Sequence, residues 1–143
     1  MVIRQLSVFL ENSLGQLHEA CECLGAHGVN LRALSLADAT DFGVLRVIVD
    51  QPDTALRALK AAKFVASTTE VIAVEVPDQP GGLASALKLL AAADISVEYM
   101  YAFIEKIGTG ALVVMRVEDV QAAVTVLQEK QVRLLSEADV AAL

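Results

Sequence analysis

Two short turns hold the residues whose types and spacing suit recognition chemistry, Leu10-Glu11-Asn12-Ser13-Leu14-Gly15-Gln16-Leu17 and Val76-Pro77-Asp78-Gln79-Pro80-Gly81-Gly82-Leu83. In each, glycine stands where an apolar periodic segment begins, and the first N–H groups of a helix lack intrahelical partners. The N–H groups around Gly15 and Gln16, or around Gly81 and Gly82, can therefore receive a carboxylate, and a missing Cβ eases its approach. Asn12 or Asp78 can accept hydrogen bonds from an ammonium group, and Asn30 can donate or accept at a further side. The same residues also read as ordinary punctuation. Asn12, Ser13 and Asp78 are common turn and cap residues, and Gly15 and Gly81 let a helix and a strand pack closely.

Catalytic patterns are missing from the sequence. There is no Ser/His/Asp set, no Cys/His pair and no nucleotide-binding glycine loop. His18 and His27 lie nine apart on the first helical segment without a catalytic partner and read as surface histidines. Cys21 and Cys23 are two apart on the same segment, a spacing that turns them roughly 200° from each other. They read as a buried Cys21 and a less buried Cys23, not as a redox or metal pair. No metal and no cofactor is expected.

Composition narrows the partner. The chain has 143 residues, 55% hydrophobic and 20% charged, enough apolar material for a packed core. A formal charge of -7 without a Lys/Arg cluster argues against nucleic acid. No apolar stretch approaches the roughly 18 residues a membrane helix needs, and Met1 to Leu10 lacks a signal-peptide core. A cytoplasmic location is expected.

The elements that position the turns repeat. Leu6 to Ala37 aligns with Ile72 to Phe103 at a constant offset of 66, placing Gly15 on Gly81, Leu17 on Leu83, Ala20 on Ala86 and Leu24 on Leu90. A later one-residue insertion brings Gly43 over Gly110. Each repeat starts with a strand, Gln5–Leu10 or Val71–Val76. A helix follows, with Leu14, Leu17, Cys21 and Leu24 on one face of the first and Leu83, Leu87 and Leu90 on one face of the second. Ser13 with Gln16 is expected to form a capping box, Pro80 to occupy a first helical position, and Gly28 to close helix one.

Strands Asn30–Asp38 and Gly43–Asp50, then Ser96–Ile104 and Gly110–Val117, read as hairpins rich in branched residues. Second helices carry Ala55, Leu56 and Leu59, or Ala123, Val124 and Leu127, inward. Closing strands Phe64–Ser67 and Val132–Leu135 complete two βαββαβ units, residues 1–69 and 70–143, meeting near Thr68 to Val71. The fold class is α+β, two tandem ferredoxin-like units with four-stranded antiparallel sheets and two helices on one face of each. The third strands, Val44 to Val49 and Ala111 to Met115, are apolar on both faces, so a repeat or a second subunit must cover the side away from the helices. A homodimer is expected. Tyr99, Tyr101 and Phe103 form an aromatic row at strand spacing, read as packing, with a pocket stacking an aromatic amino acid as the alternative.

Ferredoxin-like units serve many functions, so the first turn must discriminate. Neither turn has the arginine of an acylphosphatase or the Cys-x-x-Cys of a metal chaperone, and the basic-aromatic strands of an RNA-binding RRM are missing. Both turns resemble that of the ACT domain: a polar residue, glycine three positions later, and leucine two further on. Gly28-Val29-Asn30-Leu31 is similar to the segment entering the second strand of the serine-sensing domain of phosphoglycerate dehydrogenase. The resemblance spans nearly the whole chain. It implies a non-catalytic regulatory protein that binds a free amino acid between ACT units and signals through conformation or through contact with a metabolic enzyme. Asn12 and Asn30 match polar ligand-binding positions of the serine sensor, whose turn histidine is Leu10 here. A ligand-free ACT assembly module and an acylphosphatase-like enzyme are the alternatives.

Overall fold

The computed structural model describes residues 1–11, 13–38, 41–106 and 108–143. Strict alternation shapes its first strand. β1 (Ile3–Glu11) sends Leu6, Val8 and Leu10 to one face and Ile3, Gln5 and Ser7 to the other, and all six are buried. Helix α1 (Gln16–Ala26) returns over the even face with Ala20 and Leu24 inward. It ends in a turn where Gly28, at φ 71°, donates to the Gly25 carbonyl while Val29 donates to that of Leu24. β2 (Leu31–Asp38), β3 (Phe42–Val49) and α2 (Pro52–Ala61) complete the first unit up to β4 (Val65–Pro77).

β4 belongs to both units. Val65 to Val71 pair with β1, and Ile72 to Pro77 pair with β6 (Gly110–Val117), all antiparallel. The sequence predicts two strands with a junction at Thr68 to Val71. One uninterrupted strand forms because Thr68-Thr69-Glu70 contains neither glycine nor proline and favours extended backbone. The exchange of partner from β1 to β6 falls between Val71 and Ile72. α3 (Gly82–Ala92), β5 (Val97–Ala102) and α4 (Val120–Glu129) complete the second unit. Its closing strand shrinks to a bridge between Leu134 and Val74. A short helix not foreseen in the sequence, α5 (Glu137–Ala141), follows with a Ser136/Asp139 capping box. The two units thus share one six-stranded antiparallel sheet in the order β2-β3-β1-β4-β6-β5.

Pairing also corrects the repeat alignment. Leu6 faces Val47 and Ile72 faces Met115, so the third strands are offset by 68 and Phe42, not Gly43, corresponds to Gly110.

Each unit has a core between its helices and its half of the sheet, around Leu6, Val8, Leu45 and Leu59 in one and Val74, Met115, Leu90 and Leu127 in the other. A third core lies on the opposite sheet face and joins Ile3, Ile48, Val71, Ala73, Leu112 and Val114 to Leu135 and to Val140 of α5. The sheet curls until its end strands meet, with Ala33 bridging Phe103 and the Ile104 N–H donating to the Arg32 carbonyl at 2.9 Å. The doubly apolar third strands are therefore covered within one chain, and their burial asks for no second subunit.

One polar seam crosses this inner core. The buried Gln5 amide donates to Ser7 Oγ at 3.1 Å and to Tyr99 Oη at 2.8 Å, and its Oε1 accepts from Tyr101 Oη at 2.7 Å. The Arg46 guanidinium lies 4.0 Å from the centroid of the Tyr99 ring. Burial pushes the Tyr101 hydroxyl well above its ordinary range, which keeps it a donor. The aromatic row serves packing between the units.

Several local expectations fail for identifiable reasons. The N-cap of α1 is Gly15, which has no side chain, so Ser13 and Gln16 form no capping box and Gln16 Nε2 reaches Glu19 instead. Pro80 precedes the N-cap Gly81 of α3 and is not helical. Leu14 also lies outside its helix and is fully exposed, Leu17 is partly exposed, and the buried stripe of α1 is Ala20 and Leu24. Both cysteines are half-buried, and it is Cys23 that packs on the first core and reaches the Ala58 carbonyl at 3.5 Å. The histidines are surface groups, His18 beside Glu22 at 3.0 Å and His27 against the Cys23 carbonyl.

The units are also joined by charge. Arg4 on β1 holds Asp53 of α2 and Glu137 of α5, each at 2.7 Å. The guanidinium depresses both carboxyls below their ordinary range. A carboxylate with a depressed folded pKa contributes fully above its ordinary value and loses that contribution as pH falls through the folded one. Glu137→Gln should thus cost about 1 kcal/mol or less near neutral pH, the pair being partly exposed. That cost should fade once the pH drops below the ordinary Glu value of 4.5, as urea midpoints at both pH values will show.

Candidate functional site

Both glycine turns are built by one device. Gly15 and Gly81 stand at the N-caps of α1 and α3 with φ of 90° and 82°, a left-handed conformation that strains any residue with a Cβ. A Cβ at either would meet nothing within 4 Å, so conformation and not crowding requires glycine there, and the space over the helix end is open. Gly82 is different. A Cβ there would lie 1.9 Å from the Pro77 carbonyl oxygen, so its glycine serves close packing of α3 on the end of β4.

A cavity of about 320 Å³ lies beside the first turn, lined by Ser13, Gln16 and Leu17 and by the ends of β2 and β3 at Leu36, Asp38 and Gly43. It adjoins the outer edge of β2. Past Ala33, no strand among the described residues pairs with that edge, and Leu34 and Leu36 are exposed along it. Asn12 lies outside the described residues.

Asn30 does not join this cavity within the chain. Its N–H donates to Asp50 Oδ1 at 2.9 Å, and it sits beyond the far end of an 11-residue helix from Gly15. At about 1.5 Å per residue that separation is roughly 16 Å. The two turns do not face each other either. They lie at opposite ends of β4, whose twelve steps from Val65 to Pro77 span about 40 Å of strand at roughly 3.3 Å each. In the second turn, Asp78 forms an ion pair with Lys106 from the β5–β6 connection. Gln79 and Pro80 are exposed beside it, and Gln79 N–H donates to the Pro77 carbonyl.

Lys106 and the strand ends Leu36 to Asp38 carry no signal in the sequence. Nothing in their own residue types marks them, and only strand pairing brings them to the turns. Among the described residues no helix is long and apolar enough to cross a membrane. No group of three or more His, Cys, Asp or Glu among them is arranged to hold a metal.

The chain matches the family described as "ACT domain pair" over residues 1–143. The crystal structure of protein BT0572 from Bacteroides thetaiotaomicron superposes with a TM-score of 0.93 at 42% identity, covering 100% of this chain and 98% of that one. The ligand-free regulatory subunit of aspartate kinase from Thermus thermophilus superposes with a TM-score of 0.60 at 14% identity, covering 90% and 94%. The corresponding subunit from Thermus flavus gives 0.58 at 12%, with the same coverage of 90% and 94%. The last two are similar in fold. No functionally curated protein matches the sequence.

Proposed function

The chain belongs to the family of ACT domain pairs, and from that premise we propose that it is a non-catalytic, cytoplasmic regulatory protein that binds a free amino acid between ACT units. The units are residues 1–69 and 70–143. The observation that carries this reading is the cavity between the glycine-capped start of α1 and the unpaired edge of β2. There, the first N–H groups of α1 receive the ligand carboxylate, and Asn12 accepts from its ammonium group.

The second ACT unit comes from another copy of the chain. Phe103 and Ile104 hold the edge of β2 at Ala33 and Arg32, so antiparallel pairing with a second copy uses the free stretch past Ala33 and lays Leu34 of one strand beside Asp38 of the other. The partner's Asn30, four residues before its Leu34, then lies beyond Asp38 at the end of the strand that carries the first turn, and completes a polar set that one chain keeps apart. The homodimer thus rests on the open β2 edge, and a change in its geometry would pass the signal to a metabolic enzyme. The second turn is a diverged copy, because Lys106 already supplies the ammonium group at Asp78.

A thermal-shift screen with the twenty amino acids tests the reading, since a ligand of the native state raises apparent stability. Calorimetry with the ligand found should show Asn12→Ala weakening binding by about 1 to 3 kcal/mol. Gly15→Val should weaken it further, and Asp78→Ala should leave it unchanged. No binding by any of the twenty, or wild-type affinity in both the Asn12 and Gly15 variants, would overturn the site. The exposed Leu14, Leu34 and Leu36 around the edge favour one second reading, pairing without a ligand. A dimer in sedimentation that ignores all twenty amino acids would select it.

A further inference from the structure

Repetition gives the chain an internal comparison, and the two units differ at a niche on the side of α1 or α3 away from the β2 or β5 edge. In the first unit this cavity is about 550 Å³, between α1, the end of β1 and the α2–β4 corner. The same place in the second unit is a cavity of about 470 Å³ between α3, the end of β4 and residues 131–133. Strand pairing makes the positions equivalent: Phe9 with Glu75, Phe42 with Gly110, and Val65 with Arg133.

The second unit lines its niche with an ion pair of its own chain. Glu75 lies over Gly110, where a Cβ would come within 2.5 Å of Oε1, and its carboxylate takes the Arg133 guanidinium at 3.4 Å. The fold therefore tolerates a carboxylate and a cation at these positions and does not require apolar groups there. The first unit nevertheless places Phe9, Phe42 and Val65 at them, 44%, 41% and 67% exposed, with the two rings 5.7 Å apart. Phe64 adds a third ring to the wall. The charge around it is negative, with Glu11, Glu19 and Glu22 against Lys63 alone among the lining residues. Glu22 is shared with His18 and Glu19 with the Gln16 amide.

We propose that this niche, which lies on the side of α1 away from the β2 edge and shares Leu10, Glu11 and Gln16 with the amino-acid cavity, is a second binding site for a small organic cation with an aromatic or aliphatic body. The aromatic walls take the body and face the positive charge with their π-electrons, and the glutamates set the sign. The ligand occupies the position that the Arg133 guanidinium takes in the second unit. The chain's own lysine, Lys63, stands at the rim on a backbone with φ 68°.

The test titrates 2-phenylethylammonium into the full chain by NMR, beside the anion 3-phenylpropionate and the neutral 2-phenylethanol. Saturable binding of the cation, at least about tenfold tighter than the anion, is expected where desolvated cation–π contact and charge act together. Phe9→Glu with Phe42→Gly and Val65→Arg transplants the second unit's ion pair, with the glycine beneath its carboxylate, into the niche. It should keep the melting temperature of a folded protein and lose at least about tenfold in cation affinity. Glu19→Gln with Glu22→Gln should narrow the gap between cation and anion. Gly15→Val, which disables the proposed amino-acid site, should leave the probe's affinity unchanged. No saturable binding of the cation, equal binding of the anion, or wild-type affinity in the transplant would overturn the proposal. Failure of the amino-acid screen alone would not touch it.

Discussion

Gly82→Ala should destabilise the protein by about 3 kcal/mol or more, read as a large fall in the urea midpoint or as loss of soluble protein. The added Cβ would stand 1.9 Å from the Pro77 carbonyl oxygen and 2.9 Å from its carbon. Both are backbone atoms at the end of β4, so no side-chain rotation relieves the clash. Either α3 must lift from the sheet or the end of β4 must shift, and both loosen a core that holds Val76, Ala86 and Leu90. The first unit carries Gln16 at the corresponding position. Gln16→Ala should therefore change stability by less than about 0.5 kcal/mol, as a partly exposed substitution away from the core. Equal effects at the two positions would refute the packing argument.

Gln5→Ala is the second large effect, about 3 kcal/mol. Gln5 is fully buried and uses three hydrogen bonds to Ser7, Tyr99 and Tyr101, so truncation leaves a void and strands polar groups in an otherwise apolar core. Replacing the whole set, Gln5→Leu with Tyr99→Phe and Tyr101→Phe, should cost far less, because no buried polar group is left without a partner. What the triple variant should lose is the unique register between the units, since these bonds join β1 to β5. The chain has two tyrosines and no tryptophan, so tyrosine emission in the wild type reports on this seam alone. Near-neutral cost in Gln5→Ala, with unchanged emission, would show that the seam is not closed.

Much of the fold was legible in residue order because each element is amphipathic with its own period. The offset of 66 through Phe103, the alternation in β1, and glycine at 15, 28 and 81 follow from steric and hydrophobic rules that act locally. Where two local rules competed, only the backbone decided. Ser13 and Gln16 have the types of a capping box, yet Gly15 takes the cap, and Leu14, apolar by type, stays in solvent. The buried face of α1 departs from the apolar spacing for the same reason, because the helix starts two residues after Leu14.

The candidate site divides along the same line. Sequence by itself determined two ACT-type turns in which a glycine precedes each helix, because glycine punctuation and the apolar period are both local signals. Tertiary structure alone decided that Asn30 lies a helix length from the first turn, that β4 holds the two turns at its opposite ends, and that Lys106 reaches Asp78. It also decided that the apolar third strands cover each other and not a partner, since the sheet curls until Ala33 meets Phe103. Residue types state which surfaces must be buried and which groups must be paired. Which distant segment does the burying or the pairing depends on strand order and curvature, and neither is written in any one stretch of the chain.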